Sequence, residues 1–419
     1  MIRKLIILFL VYFPIISVAQ NIDYTRHIID TLTSSYFSGR GAVDSGEIKA
    51  ANFLKNEFEK IGLSNFNNSY FQMFNYNINT FPGDVSVKVD GVDLKAGVDY
   101  LIDPNSKSIG GSYQLVWYNK KNIPTKKELK KLIAIRFFAD KFIVIDDSEV
   151  ENDNEAFQLL KLNVYGAAGI INIEPKKLTH HLSQTYNDFA SLTVMQNKIT
   201  QKNRVITVEI DQQFERNYPS QNVIGYIQGK QYPDSFIIVS AHYDHLGKMG
   251  EDVYFPGAND NASGVAMLLN LAHYYSENIP QKTIVFMLFG AEEVAILGSK
   301  YYVENPLFPL KKINFVMNLD LLGTGSEGAT VVNASVFSHQ FSKLDSINTL
   351  KKYLPQIKKR DKAANSDHYW FSEKGIPSFF LYTMGGIKAY HDIEDVSKTL
   401  PLTKFEACFS LIRDFINEL

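Results

Sequence analysis

The sequence predicts an α/β protein whose central sheet is mostly parallel and carries helices on both faces. After residue 220, apolar runs of strand length alternate with amphipathic segments of helical period, which is the pattern of strands joined by crossover helices. Strands such as FIIVS and TIVFMLF are apolar except for one terminal residue, as expected for strands buried on both faces. Residues 83–212 differ, because short strand-like runs follow one another there. They predict a smaller, β-rich accessory domain inserted into the α/β fold.

The N-terminal residues 1–19 have the features of a cleavable export signal. A basic start precedes an apolar run, Leu5–Val18, that is too short for a comfortable membrane span. A small-x-small cleavage pattern follows at residues 17–19, so we expect the mature chain to start near Gln20 and to act in the periplasm or outside the cell. An uncleaved anchor is the alternative, and Pro14 inside the run counts against it.

Composition narrows the possible partners. The chain has 419 residues and 45% hydrophobic content, enough for large cores in two domains. Its net charge of -2 implies neither a nucleic-acid partner nor an anionic membrane surface.

The single cysteine, Cys408, excludes an intrachain disulfide and a cysteine-rich zinc site, and we expect it to be buried in the last helix. The oligomeric state stays open.

Residues 20–82 form the N-terminal part of the main domain in this prediction. Helices are expected over residues 23–33 and 45–61, separated by a glycine-containing loop, and Gly62 marks the end of the second. The apolar residues of the second helix recur on one face: Ala50, Phe53, Leu54, Phe58 and Ile61.

The predicted accessory domain, residues 83–212, begins with two strands around an Asp90-Gly91 hairpin turn. Its segment NVYGAAGIINI predicts a helix end, a glycine turn and a buried strand. His180 and His181 are expected in a loop without a metal role. The sequence leaves two roles open for this domain, a lid that selects substrates or a passive addition.

Residues 213–419 form the rest of the main domain. Strands are predicted in QNVIGYIQG, DSFIIVSAHYD, TIVFMLFGAEE, INFVMNLDLLG and PSFFLYT. Helices are predicted in NASGVAMLLNLAHYYSE, from about Val294, in SVFSHQFSKLDSINTLKKYL and at the C-terminus. Ligands of such sheets bind beyond the C-terminal ends of the strands.

Five motifs place metal-binding residue types at those strand ends or in nearby loops. They contain His242 and Asp244 in SAHYDHLG, Asp260 in GANDNASG, Glu292 and Glu293 in FGAEE, Asp320 in MNLDLLG, and His391 in YHDIEDV. Two histidines and at least three carboxylates are too many for one zinc ion. They suit two zinc ions that share a carboxylate, with one glutamate left as a base. The sequence therefore predicts metal-assisted hydrolysis.

Two residues on one strand end, His242 and Asp244, are predicted to point the same way because side chains alternate along a strand. We interpret His242 as a zinc ligand and Asp244 as the partner that orients its imidazole. His245 would then point to the opposite face and would not be a ligand.

The five motifs resemble those of the M28 family of zinc peptidases, the aminopeptidase family. Their order matches: HxD, GAxDNASG, EE, NxD and a late YHxxxD. The resemblance covers most of residues 221–419 and, more loosely, residues 21–80. Residues 83–212 resemble, weakly, the protease-associated domain that many family members carry as an insertion.

The resemblance implies a role for each residue. Asp260 bridges two zinc ions, His242 and Asp320 complete one site, and Glu293 and His391 complete the other. Glu292 is the catalytic base, and Asp244 is the second predicted catalytic residue through His242. Two further positions stay open: Asp395, as a residue behind the ligands or a solvated one, and the SDHYWF segment with Asp367, His368 and Tyr369, near the substrate.

The resulting hypothesis is an exported dizinc exopeptidase, most simply an aminopeptidase that cleaves N-terminal residues from peptides with a zinc-activated water. Three alternatives stay open. They are a glutaminyl-peptide cyclotransferase on the same scaffold, typically with one zinc ion, a carboxypeptidase or dipeptidase, and a non-catalytic binding ectodomain. No stable membrane anchor is expected, and the preferred residue at the cleaved bond is not evident from the motifs.

Overall fold

The computed structural model describes residues 21–150 and 154–419. The predicted export signal at residues 1–19 lies outside the described residues. Within these two ranges, none of the helices combines the length and apolar character that crossing a membrane requires.

Helices alternate with strands through most of the described chain. The α-helices are α1 (Ile22–Leu32), α2 (Gly46–Ile61), α3 (Lys126–Ala134), α4 (Glu155–Lys161), α5 (Gly264–Glu277), α6 (Leu297–Glu304), α7 (Ser338–Lys351), α8 (His368–Glu373) and α9 (Phe405–Asn417). The first nine strands are β1 (Phe71–Thr80), β2 (Val85–Val89), β3 (Val92–Leu94), β4 (Tyr100–Ile102), β5 (Ile109–Tyr118), β6 (Lys141–Ile145), β7 (Gly169–Glu174), β8 (Ala190–Met195) and β9 (Val205–Ile210). The others are β10 (Gln213–Ile227), β11 (Tyr232–His242), β12 (Lys248–Met249), β13 (Val253–Tyr254), β14 (Lys282–Phe289), β15 (Ile313–Leu319), β16 (Gly328–Val332), β17 (Ile357–Lys359) and β18 (Ser378–Met384).

The central sheet confirms the predicted fold class. It has eight strands in the order β1-β10-β14-β11-β15-β18-β16-β17. The four middle strands, β14, β11, β15 and β18, run parallel to one another, and β10 and β16 flank them in antiparallel orientation. The parallel centre brings the C-terminal ends of the middle strands to one edge.

Helices cover both faces of this sheet. One face packs against α1, α2, α5, α7 and α9 in a large apolar cluster that includes Leu54, Leu268 and Phe315. The other face packs against α6 and α8 around Tyr302 and Phe371. Cys408 is buried in α9, as predicted. The predominantly apolar sequences of the middle strands are explained by this burial on both faces.

A second eight-stranded sheet lies within residues 85–210, in the order β3-β2-β9-β5-β6-β7-β8-β4. Its core is formed by two further apolar clusters. One packs α3 and α4 against β6, and the other also includes Leu246, Met249 and Phe255 of the main domain. The predicted hairpin is present: Val89 pairs with Val92, and Asp90 and Gly91 have φ values of 47° and 82°, as a two-residue hairpin turn requires. These features support the proposed accessory domain at residues 83–212.

The two sheets are joined through a pair of long strands. β1 leads out of the central sheet and β10 leads back into it, and the two pair in antiparallel register from Phe71 with Val223 to Thr80 with Gln213. The chain segments before and after the accessory sheet therefore belong to one sheet.

Candidate metal centre

Three of the five motifs meet because their strands are parallel neighbours. β11 ends at His242, which lies beside Phe289 at the end of β14. On the other side of β11, Ser240 pairs with Asn318 of β15, two residues before Asp320. The strand ends therefore bring His242, the glutamate pair and Asp320 to one edge of the central sheet.

The first histidine lies between two carboxylates. His242 Nε2 lies 3.2 Å from Asp260 Oδ1 and 3.5 Å from Asp320 Oδ1. All three side chains are buried. Among the described residues, Asp320 Oδ1 has no hydrogen-bond partner. Ligand atoms of these three residues lie close enough together to hold a metal ion.

The second histidine lies on the other side of Asp260. His391 Nε2 is 3.2 Å from Asp260 Oδ2 and 3.1 Å from Glu293 Oε2. Asp260 therefore presents one carboxylate oxygen to each histidine. The five predicted metal ligands lie together in one buried cluster around Asp260.

Hydrogen bonds with neighbouring residues hold the loop before α5 that carries Asp260. The carboxylate of Asp395 accepts hydrogen bonds from the backbone N–H groups of Asn259, at 2.9 Å, and Asp260, at 3.0 Å. The side chain of Asn261 donates to the carbonyl of Leu319 and accepts from the N–H of Gly264. Asp395, left open by the sequence, is buried behind the ligands and is not solvated.

A buried arginine also holds this loop. Arg40 is fully buried and donates to five backbone carbonyls: Tyr243, Leu32, Pro256, Gly257 and Asp260, at 2.6–3.3 Å. Burial lowers the pKa of Arg40 to about 10, so the guanidinium stays charged at neutral pH. Its positive charge lies near the carboxylates of the cluster. No role at the site was predicted for Arg40, although it lies between two glycines in a GRG motif, the one signal in the sequence that could have indicated a closer role.

Asp244 connects the glutamate pair to the first histidine. Its carboxylate accepts from the backbone N–H of Glu292, at 3.1 Å, and of Glu293, at 3.2 Å. His242 Nδ1 lies 3.2 Å from the Asp244 carbonyl oxygen and 3.7 Å from its carboxylate. Asp244 therefore orients the two glutamates as well as the imidazole.

The adjacent glutamates have different environments. Burial raises the pKa of Glu292 well above its ordinary value, although the charge of His242 opposes this. Burial and the charge of Asp260 also act to raise the pKa of Glu293, but its contacts with His391 and His245 outweigh them and lower it. The two adjacent carboxyls thus differ in pKa, which is raised for Glu292 and lowered for Glu293.

The predicted direction of the His245 side chain is wrong, whereas the prediction that it is not a metal ligand stays a prediction. Its Nδ1 lies 2.7 Å from Glu293 Oε1, and the side chain is buried within the cluster. The alternation of a strand does not extend to this residue because β11 ends at His242. Atoms of His245, Asp260 and Glu293 lie close enough together to hold a metal ion.

The SDHYWF segment lies behind Asp320. Ser366 Oγ donates to Asp320 Oδ2 at 3.3 Å and accepts from the Asn318 side chain at 2.8 Å. Asp367 is buried, where it accepts from Ser299, and burial raises its pKa to about 7. His368 is also buried, whereas Tyr369 is half-buried. Ser366 therefore contacts the proposed ligand Asp320 from behind.

An open cavity of about 520 Å³ lies over the cluster. Its wall includes Glu292 together with apolar and aromatic side chains and one arginine: Ile296, Phe380, Tyr382, Tyr390 and Arg360. His181 of the accessory segment lines the same cavity. The cavity can therefore hold a side chain or short chain of a ligand whose polar group faces the cluster.

Comparison with known proteins agrees with this geometry. The family model described as Peptidase family M28 matches residues 222–416. Aminopeptidase YwaD of Bacillus subtilis is 34% identical over 167 residues, 39% of this chain and 35% of that protein. A probable zinc metalloprotease of Pyricularia oryzae is 36% identical over 111 residues, 26% of this chain and 22% of that protein. The matches span about a third or less of these curated relatives.

Solved structures support the fold over nearly the whole chain. BSAP, a zinc aminopeptidase from Bacillus subtilis, has a TM-score of 0.72 at 20% identity and covers 96% of each chain. An aminopeptidase from Aneurinibacillus sp. strain AM-1 has a TM-score of 0.66 at 20% identity, over 96% of this chain and 94% of that one. The resemblance carried by the motifs is confirmed: over residues 222–416, the chain contains a domain of peptidase family M28.

Proposed function

We propose that the protein is an exported aminopeptidase that holds two zinc ions and hydrolyses N-terminal residues from peptides. The position of Asp260 carries this proposal. Its two oxygens face His242 and His391 at 3.2 Å each, as a carboxylate shared between two ions would. The proposed export is based on the predicted signal at residues 1–19. The proposed reaction is supported by the similarity to proteins named aminopeptidases.

The donor set fits two zinc ions. Imidazole nitrogens and carboxylate oxygens are zinc ligands, and four suffice for one tetrahedral ion. Under the proposal, His242 and Asp320 hold one ion, Glu293 and His391 hold the other, and Asp260 is common to both. Asp320 Oδ1, which accepts no hydrogen bond from the residues that the structure describes, supports this assignment, because a buried oxygen without a hydrogen bond is costly.

The protein's own groups supply binding and proton transfer. Bound zinc lowers the pKa of a coordinated water and polarises a carbonyl. Glu292, on the cavity wall, takes the proton of the attacking water and returns it to the leaving amine. Asp244 keeps Glu292 in place through the backbone N–H. The apolar wall formed by Ile296 and Phe380 receives the substrate side chain and excludes water from it.

Pairs of peptides that differ only in whether the N-terminal amine is free or acetylated test which end of the substrate the protein cleaves. A free α-amine can approach the cluster of carboxylates, whereas an acetyl group removes its charge and adds bulk. Peptides with a free amine should therefore lose residues one at a time from the N-terminus, and acetylated copies should resist. Mass spectrometry of the products at successive times provides the measurement.

Other products would identify the alternatives. Release of C-terminal residues from an acetylated peptide would favour a carboxypeptidase, and cleavage restricted to two-residue substrates would favour a dipeptidase. A glutaminyl cyclase from Bacteroides thetaiotaomicron shares the fold, with a TM-score of 0.50 at 13% identity over 96% of this chain and 99% of that one. Loss of ammonia from an N-terminal Gln peptide without chain cleavage would favour that reaction.

A further inference from the structure

We propose that a segment of the accessory region, Lys177–His181, positions His391 and thereby sets the affinity of the metal site that includes it. This segment, here called the clamp, lies between β7 and β8, more than 200 residues before His391 in the chain. The inference rests on the proposed function, because it takes His391 as a zinc ligand. It assigns the accessory region a role at the metal centre that a passive addition would not have.

The first contact fixes the imidazole of His391. Its Nδ1 lies 3.0 Å from the carbonyl oxygen of His180, and the N–H of His180 donates to the carbonyl of His391 at 2.9 Å. A proton on Nδ1 that is donated to this carbonyl leaves Nε2 unprotonated, which is the form that binds a metal ion. The clamp therefore selects both the tautomer and the ring orientation.

The second contact holds the chain around His391. Lys177 Nζ donates to the carbonyls of Lys388 and Tyr390, both at 3.0 Å, and lies 2.6 Å from Asp392 Oδ2. His391 has a φ of 53°, a left-handed conformation that a non-glycine residue adopts only when its surroundings impose it. Lys177 bridges the residues on either side of this strained position and so stabilises it.

The clamp is itself anchored. Leu178 belongs to the apolar core of the accessory sheet. The buried ring of His180 stacks on Phe255, with ring centres 4.5 Å apart and planes 7° apart. His181 contacts the ring of His391 edge-on at 5.3 Å. The clamp therefore has a fixed position from which to hold His391.

The geometry makes the effect specific to one ion. The side chain of Lys177 and the backbone of His180 contact residues 388–392, whereas His242 and Asp320 lie at strand ends and Asp320 accepts a hydrogen bond from Ser366. Loss of the Lys177 side chain should therefore lower the affinity for the ion held by Glu293 and His391. The affinity for the other ion should stay unchanged.

The test compares Lys177→Met with Lys176→Met, which removes the charge of the exposed neighbour. Zinc affinities are measured by titration against a chromogenic chelator, and folding by circular dichroism. Lys177→Met should bind one ion as the parent does and the other about 10-fold to 100-fold more weakly, the range for losing a group behind a ligand. Excess zinc should restore its turnover. Lys176→Met should match the parent in both affinities.

Asp392→Asn removes the other half of the ion pair and should give the same selective loss, so it replaces Lys177→Met if that variant does not fold. Two parent-like affinities in these variants would overturn the clamp while leaving the dizinc function intact. A parent chain that binds fewer than two zinc ions would instead overturn the proposed function, and the clamp with it.

Discussion

The two adjacent glutamates show how neighbours decide the role of a residue. Both glutamates line the cavity, but Glu293 also contacts His391 and His245. We predict that Glu292→Gln keeps the fold and the zinc but lowers kcat by roughly 10²–10⁴, the range for a positioned proton-transfer group. Glu293→Gln should instead lose zinc. Metal analysis and steady-state kinetics of the two variants test these roles. If Glu292→Gln lost zinc and Glu293→Gln did not, the assignments of base and ligand would be reversed.

A second residue-scale prediction concerns Arg40. Arg40→Met removes one hydrogen-bond donor from each of five carbonyls and a buried positive charge beside the carboxylates. Breaking a buried charge network typically costs about 3–5 kcal/mol, so we expect a loss of that order in the free energy of unfolding, with weaker zinc binding. Denaturant unfolding provides the measurement. The control is Arg216→Met at an exposed arginine, and equal stability of the two variants would contradict the role.

At this scale, the sequence predicted residues whose type carries their chemistry and missed those defined by long-range contacts. The five proposed ligands were found because histidine and carboxylates recur at strand ends. The role of Arg40 was not predicted, because its partners Tyr243 and Pro256 lie more than 200 residues away in the chain. His245 was misplaced because the end of a strand is less certain than its existence.

Among the elements, strongly apolar segments were predicted and weakly patterned ones were not. The strand β1, FQMFNYNINT, is rich in polar residues, and β16 and β17 are short. The helix expected from about Val294 begins at Leu297. The residues before it form a turn instead, because Ala291, Ala295 and Ile296 have left-handed φ values. That turn carries the glutamate pair.

The packing of α2 on the edge strands yields a pH prediction. Glu47 is buried in α2, where it accepts hydrogen bonds from Tyr76 of β1 and Ser220 of β10. Burial raises its pKa from 4.5 to about 8. Over this window the unfolded chain loses a proton that the folded chain keeps, so stability falls as pH rises from about 5 to about 8 and the loss is complete above that.

Glu47→Gln removes this titration and keeps a hydrogen-bonding side chain of the same size. We expect the Tm of the variant to rise relative to the parent as pH increases through that window. Thermal unfolding at several pH values checks it. A constant difference in Tm at every pH would show that the burial of Glu47 does not govern this dependence.

The whole molecule should depend on zinc for stability as well as activity. The cluster contains several buried ionisable side chains that lie close together. Under the dizinc proposal, a ligand at 100 times its Kd stabilises the folded state by about 2.7 kcal/mol per site. We therefore expect a chelator to lower Tm and abolish peptide hydrolysis, and added zinc to restore both. Hydrolysis that survives thorough chelation would refute the proposal.

The layout of the whole molecule was predictable only in part. Alternating strands and helices predicted the central sheet, and short strands predicted a β-rich region at residues 83–212. The contact of the clamp with His391 was not predictable, because it joins residues 211 positions apart in the chain. The domain boundaries remain a prediction, supported by the two separate sheets.

The pairing of β1 with β10 has a consequence for how the chain folds. Thr80 and Gln213 are cross-strand partners, yet residues 81–212 separate them along the chain. Closing a flexible loop of about 130 residues costs about 3 kcal/mol more in entropy than closing a tight turn. If the accessory sheet forms first, it holds these two ends together and removes most of that cost. Early folding of the accessory region would then act as a template for the edge of the central sheet, and a destabilising change in its core would slow refolding of the whole protein.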